Sequence, residues 1–389
     1  MDKILTIHNK YLISGGEDQS VSAQEAIMKE QGHDYFSYIR DNKEVSKMNQ
    51  LATGINTIWS QKSYGEVINL IKENNIDIVD VQNTFPLISP SIYYAAKKFR
   101  KPVIQTLRNY RLICSNGLFF RNGDNCFLCL QKKIPMEGIK NKCYRNSTLG
   151  STAVTSMLGI HNLFHTYKDK IDVFITLTEY MKEIYSQAGF PKDRIVVRAN
   201  FVPKDPGVGE GKGNYFLFVG RLTKEKGVLT LIEAFTKNKT DKLIIIGQGP
   251  LEQQVDQCAK KHSNIEYLGR KNIEEVYEFM KNAKAVIFPS EWYEPFGRIF
   301  IESFAVGTPV ISSDVPSIYE MVEDNRTGLH FKAGNSTSLT EAIEKFNASS
   351  NLLYMRSEAR KEYLSKYTPE IYYKKTMEIY KYAKEINFY

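Results

Sequence analysis

Two carboxylates, Glu294 and Glu302, enclose seven residues in the stretch Ser290-Glu-Trp-Tyr-Glu-Pro-Phe-Gly-Arg-Ile-Phe-Ile-Glu302. A second pair, Arg221 and Lys226, brackets a short turn in Gly220-Arg-Leu-Thr-Lys-Glu-Lys-Gly227. Carboxylates accept hydrogen bonds from neutral hydroxyls. An Arg fork and a mobile Lys charge suit an anionic phosphate. Each feature alone has a plain reading, an acidic turn before a solvated helical Glu or two surface cations. The elements around them argue for more. Lys284–Pro289 reads as a buried strand, Pro295 and Gly297 break the chain, and a helix opens near Gly297 and runs to about Val306. Glu294 then lies just before a helix N-terminus and Glu302 about one and a half turns inside. Free N–H groups at such an end attract anions. Arg221 and Lys226 likewise follow a strand, Tyr215–Val219, and lead into a helix over Lys226–Lys237. Together these features could hold a sugar and a diphosphate.

The remaining pattern is an alternation of apolar runs and helical periods, as in α/β units with parallel sheets. Strands are expected at Ile4–His8, Tyr35–Ile39, Ile76–Val81, Pro102–Thr106, Val173–Thr176 and Ile195–Arg198, with helices such as Glu17–Gln31, Gln61–Asn74 and Ser89–Phe99. A Gly- and Pro-rich stretch, Phe201–Asn214, marks a linker. The alternation then restarts at Tyr215–Val219, Lys242–Ile246, Ile265–Leu268, Ala285–Pro289 and Pro309–Ser312. A chain of 389 residues suits two domains. The expected division is 1–205, 206–365 and a terminal helical segment, 366–389, with an aromatic stripe of Tyr372, Tyr373, Met377, Ile379, Tyr380 and Tyr382. Two Rossmann-like domains facing across a cleft is the simplest packing.

The motifs resemble those of retaining glycosyltransferases of family 4, which have the GT-B fold. Glu294 to Glu302 is similar to their donor-sugar motif, Gly220–Gly227 to their phosphate turn, and Gly15-Gly16-Glu17-Asp18 to their N-terminal glycine loop. The resemblance implies a nucleotide-diphosphate sugar, UDP- or GDP-linked, bound without a metal. Arg221, Lys226 and the amides near Gly16 and Gly297 would hold the diphosphate. Glu302 would take the ribose, and Glu294 with Phe296 and Gly297 the sugar ring. Gly247 and Gly249 would form a second glycine turn, and Leu268 would pass beside the base. Glu294, Arg221 and Lys226 become the catalytic candidates, acting by alignment and charge stabilisation rather than by nucleophilic attack. Family members often carry a His where this chain has Arg108 in Thr106-Leu-Arg-Asn-Tyr-Arg111. Arg108, Tyr110 and Arg111 are therefore acceptor-side candidates. His8, His161 and His165 either compensate for the missing His or serve structurally. In this fold the last helix crosses back to the first domain. The implied activity is transfer of a hexose-type sugar to a glycan or lipid-linked acceptor in cell-surface polysaccharide synthesis. A nucleotide-sugar epimerase and a degenerate sugar-nucleotide binder compete with it.

Charge and cysteines add a further element. The net charge is +8, and from Lys97 to Arg145 twelve cations face only Asp124 and Glu137. Within the basic loop 111–146 stand Cys114, Cys126, Cys129 and Cys143. Their C-x11-C-x2-C-x13-C spacing has one knuckle, not two, so structural zinc, buried thiols and disulfides all remain readings. The basic surface suits a lipid diphosphate or an anionic membrane face. A nucleic-acid-binding protein is the non-enzymatic alternative, but nucleic acid is not the expected partner. No run nears the ~18 apolar residues of a membrane span, and the first residues enter a strand. The protein is read as cytoplasmic, with membrane contact confined to the inner face.

Overall fold

The computed structural model describes residues 1–12 and 15–387, so the last two residues of the expected terminal segment lie outside it. The chain divides into two compact units. The first comprises Met1–Phe119, Cys126–Asn200 and the terminal helix from Tyr372 onward; the second comprises Phe120–Asn125 and Phe201–Ile371. These limits fall a few residues from those expected, at Asn200/Phe201 and Ile371/Tyr372.

The first unit is built on β1 (Lys3–Lys10), β2 (Asp34–Asp41), β3 (Ile78–Asn83) and β4 (Val103–Thr106). A small hairpin of β5 (Phe120–Arg121) and β6 (Asp124–Asn125) follows and belongs to the second unit. The sheet is completed by β7 (Val173–Thr176) and β8 (Ile195–Val197). Its order is β2-β1-β3-β4-β7-β8, all parallel. Central strands covered on both faces read as continuous apolar runs; Ile4, Leu5, Ile7, Ile78, Val79 and Ile104 are fully buried.

The second unit carries β9 (Phe216–Val219), β10 (Leu243–Ile246), β11 (Ile265–Tyr267), β12 (Val286–Phe288), β13 (Val310–Ser313) and β14 (Gly328–Phe331). Their parallel order, β11-β10-β9-β12-β13-β14, is the Rossmann order. Strand β14 was not expected. It is four residues long and is registered by β13, with Val310 opposite Gly328. The Phe201–Asn214 stretch is fixed to this unit by backbone bonds, Gly209 N–H to the Val306 carbonyl and Gly211 N–H to the Lys281 carbonyl, both 2.9 Å. Its glycines serve close packing as much as linkage.

In the terminal helix, Pro369–Asn387, the buried stripe is Tyr372, Thr376, Ile379, Tyr380 and Ala383. Tyr373, Met377 and Tyr382 flank it, a shift in phase from the aromatic stripe expected. This helix closes over a polar core. Asp80, fully buried on β3, accepts from Gln24 Nε2 at 2.5 Å, Gln82 Nε2 at 2.8 Å and the Tyr380 hydroxyl at 2.6 Å. Arg198 donates to Thr376 Oγ1 at 2.8 Å and lies 4.3 Å over the Tyr372 ring.

Candidate functional site

In an open parallel sheet, ligands sit outside the carboxyl ends of the strands where the winding direction reverses. In the second unit that point lies between β9 and β12. Strand β9 ends at Val219 and releases Gly220–Gly227; β12 ends at Phe288 and releases Pro289–Gly297. The two turns carrying the candidate charges are therefore neighbours by topology. Backbone sews them together: Glu291 N–H donates to the Glu225 carbonyl at 2.9 Å. Gly227 has φ +68°, and a Cβ there would stand 1.7 Å from the Pro289 carbonyl oxygen. No other residue type fits this close approach.

The side chains meet as well. Lys226 Nζ pairs with Glu294 Oε1, the two side chains retaining 14% and 10% exposure. Ser290 Oγ donates to the other Glu294 oxygen at 3.3 Å. The Lys226 ammonium also lies 5.5 Å from the Phe288 ring centroid and 5.9 Å from that of buried Trp292. Arg221 is different: its side chain is 67% exposed and lies 3.9 Å from Glu225. One cation is thus fixed at the switch point and the other faces solvent.

Glu302 is buried on helix Arg298–Ala305 and takes a hydrogen bond from Arg298 Nη2 at 3.1 Å. Burial raises its pKa, and Arg298 acts against that shift. No side chain caps this helix, whose N-cap is Gly297, and Phe296 beside it is buried. Gly247 donates its N–H to the Gly269 carbonyl at 2.8 Å. Its φ is +152°, and a Cβ there would meet the Gly220 carbonyl at 1.8 Å. Gly249 packs against the backbone of Leu222. Leu268 is half-buried and its N–H is held by the Ile245 carbonyl at 3.0 Å. The expected donor-side residues of this unit thus lie on the turns at the ends of β9, β10, β11 and β12, apart from Glu302 on the helix after β12. Ser290, Arg298 and Trp292 were missed. Arg298 could have been found from its i,i+4 spacing to Glu302; Ser290 and Trp292 carry no such signal.

In the first unit the reversal lies between β1 and β3. Helix Gly16–Glu30 begins there with Gly15 as N-cap. Gly15 has φ −129°, and a Cβ added to it would meet no atom within 4 Å. The described protein does not itself require glycine there. His8 Nε2 and Asp18 Oδ1 are 2.7 Å apart, both buried. Burial would raise the Asp18 carboxyl, but its hydrogen bond to His8, the His8 charge and the Gly15 N–H outweigh this and hold it low. Glu17 accepts from the Tyr11 hydroxyl at 3.0 Å; burial raises its pKa against the pull of His8 and Arg108.

The acceptor-side candidates are largely occupied. Arg108 is buried, with Nε and Nη2 on Gln82 Oε1 at 3.1 and 2.9 Å and Nη1 on Asn200 Oδ1 at 2.7 Å. Tyr110 is fully buried between the rings of Phe119 and Tyr185. Arg111 forks onto the carbonyls of Ser115 and Asn116 and lies over Phe85. His161 is bound to Thr166 Oγ1 at 3.0 Å and the Ile58 carbonyl at 2.9 Å.

Among the described residues, none of the four loop cysteines is in a disulfide. They share one neighbourhood, since burial and then the thiols of Cys114, Cys143 and Cys126 push the Cys129 thiol up to about 12. Among the described residues, however, no three Cys, His, Asp or Glu side chains are arranged to hold a metal ion. Cys114 Sγ instead donates to Asn116 Oδ1 at 3.0 Å. The loop is ordered by the Arg111 fork and by the Tyr110–Phe119–Phe127 ring contacts.

Residues 204–363 match the family described as glycosyl transferases group 1. The matched stretch lies within the second unit and contains both switch-point turns. Over 207 residues the chain is 33% identical to an uncharacterized glycosyltransferase of Methanocaldococcus jannaschii, covering 53% of this chain and 57% of that protein. Over 136 residues it is 29% identical to the capsular polysaccharide biosynthesis glycosyltransferase CapM of Staphylococcus aureus, covering 33% of this chain and 35% of that protein. The chain thus spans about half or less of the length of these relatives. HepE from Anabaena, crystallised in complex with UDP, aligns over 97% of this chain and 98% of its own with a TM-score of 0.68 and 14% identity. That likeness shows the GT-B fold, with its two parallel α/β sheets.

Proposed function

We propose that the protein is a retaining glycosyltransferase that moves a hexose from a UDP- or GDP-linked donor to a glycan or lipid-linked acceptor of a cell-surface polysaccharide. The observation that carries this reading is the Lys226–Glu294 pair, held at the β9/β12 reversal inside the segment that matches group 1 glycosyltransferases. The capsule-synthesis relative and the UDP-bound structural neighbour support it.

In this reading the diphosphate competes with Glu294 for the Lys226 ammonium, and exposed Arg221 folds onto the same anion. The two cations stabilise the charge that develops on the leaving group, with no divalent ion needed. Glu294, released from Lys226, accepts hydroxyls of the sugar ring, and Glu302 receives the ribose. Configuration is retained because departure and attack share one face of the sugar, and no carboxylate acts as nucleophile. The reaction runs at the cytoplasmic face of a membrane.

Calorimetric titration with UDP-, GDP- and ADP-sugars tests the reading. Binding of a UDP- or GDP-sugar that Lys226→Ala abolishes is expected. Binding that survives both Lys226→Ala and Glu302→Ala would refute it.

A further inference from the structure

The first unit contains a cavity of about 390 Å³ that the proposed reaction does not use. Its lining includes His161, Asn162, His165 and Lys168, which precede β7, and Gln187–Phe190, which precede β8. These segments lie toward the amino ends of those strands, away from the carboxyl ends where the winding reverses and ligands bind. The cavity lies apart from the switch-point turns, although Leu112 and Ile113 of its wall belong to the loop that β4 releases.

Its wall is apolar. Leu112, Ile113, Tyr167 and Phe190 are each about nine-tenths buried or more. Its charge is of one sign, because Lys132, Lys133 and Lys168 line it and no carboxylate does. Among the described residues these three lysines form no ion pair or side-chain hydrogen bond. The Lys168 ammonium lies over Gly189 at the cavity edge, 3.7 Å from where a Cβ would stand. His161, fixed on both nitrogens, is wall rather than charge. Between lining residues Asn162 and His165, Leu163 and Phe164 are 56% and 72% exposed. Ile134, next to Lys133, is also exposed.

Unpaired ammonium groups around a partly apolar cavity with an apolar lip match an amphiphilic anion. A free phosphate would use the lysines and leave Leu163, Phe164 and the apolar wall without a partner. We infer that this cavity binds the phosphate and proximal chain of an anionic membrane phospholipid and docks the first unit on a lipid surface. The inference does not depend on the donor reading, since none of its residues belongs to the switch-point turns.

The full chain is tested by co-sedimentation with vesicles of phosphatidylcholine alone or mixed with phosphatidylglycerol. Binding only to the mixed vesicles, falling as salt rises, is expected. Changing Lys132, Lys133 and Lys168 together to Gln should weaken partitioning roughly a hundredfold, with an unchanged melting temperature. Leu163→Ser with Phe164→Ser, both at exposed positions, should weaken it severalfold. Changing Lys374, Lys375 and Lys381 to Gln removes as much charge from the terminal helix and should leave binding as it was. Equal loss in that variant would reduce the effect to net charge and overturn the site. Binding to neutral vesicles as tight as to mixed ones, or to neither, would also overturn it. So would release from vesicles by inorganic pyrophosphate at matched phosphate concentration, which would assign the cavity to a soluble anion.

Discussion

Replacing Lys226 by Met separates the structural and the functional parts of the switch-point pair. In the free protein the change leaves Glu294 about nine-tenths buried with Ser290 as its remaining side-chain donor. Removing one member of a buried pair costs about 3–5 kcal/mol. Because a little solvent reaches both groups, the lower end applies, roughly 3 kcal/mol. Glu294→Gln leaves the ammonium equally stranded, though its ring contacts with Phe288 and Trp292 soften the loss to about 2 kcal/mol. The double variant strands neither charge and should fall within about 1 kcal/mol of the parent, because replacing both members of such a pair is often neutral. The resulting coupling, about 4 kcal/mol or more, exceeds the usual range of 0.5–3 kcal/mol for contacting residues. Urea unfolding of the four proteins measures it. Turnover should behave otherwise: with a UDP- or GDP-sugar, Lys226→Met loses about 10²–10³ in kcat, and Glu294→Gln does not restore it. Additive stability effects, or near-normal transfer by Lys226→Met, would refute the assignment of Lys226 as both ion-pair partner and phosphate ligand.

Other outcomes follow from the first unit. Asp80→Ala strands the hydrogen bonds of Gln24, Gln82 and Tyr380 and should cost about 3–5 kcal/mol in chemical denaturation, whereas Tyr380→Phe should cost about 1–2 kcal/mol. Asp18 is held below its ordinary range when folded. Its contribution to stability is therefore complete above about pH 4 and lost as pH falls through the lowered value. Asp18→Asn should flatten this acid limb in unfolding curves taken across the range, and an unchanged limb would contradict the His8 pairing. Because the loop thiols are not poised on a common centre, protein purified without chelator should contain no stoichiometric zinc. One tightly held equivalent by elemental analysis would show that the thiols turn inward to bind it.

The donor half was the more legible in sequence because its signals are local. Buried parallel strands such as Leu243–Ile246 read as apolar runs, and the charged residues stand on the turns those strands release. The alternation therefore places Lys226 and Glu294 at strand ends, and the sheet order makes those ends neighbours. Strand β14 was missed because Gly328-Leu-His-Phe331 is short, and its position comes from β13 rather than from its own pattern. A motif compares positions and not surroundings, so the bonds of Arg108 to Gln82 and Asn200, 26 and 92 residues away, are not legible in it. The Asp80 network is equally opaque, with Tyr380 at a separation of 300 residues. Cysteine spacing showed that four thiols could gather, but their orientation depends on loop backbone that has no periodicity.

The terminal helix has a consequence for biosynthesis. Gln24, Asp80 and Arg198 emerge from the ribosome long before Tyr372, Thr376 and Tyr380, which complete their hydrogen bonding. While the second unit is being translated, the first has its strands but lacks the cover for its polar interior. It must wait as an open, hydrated intermediate, and the last step of its folding follows synthesis of the second unit.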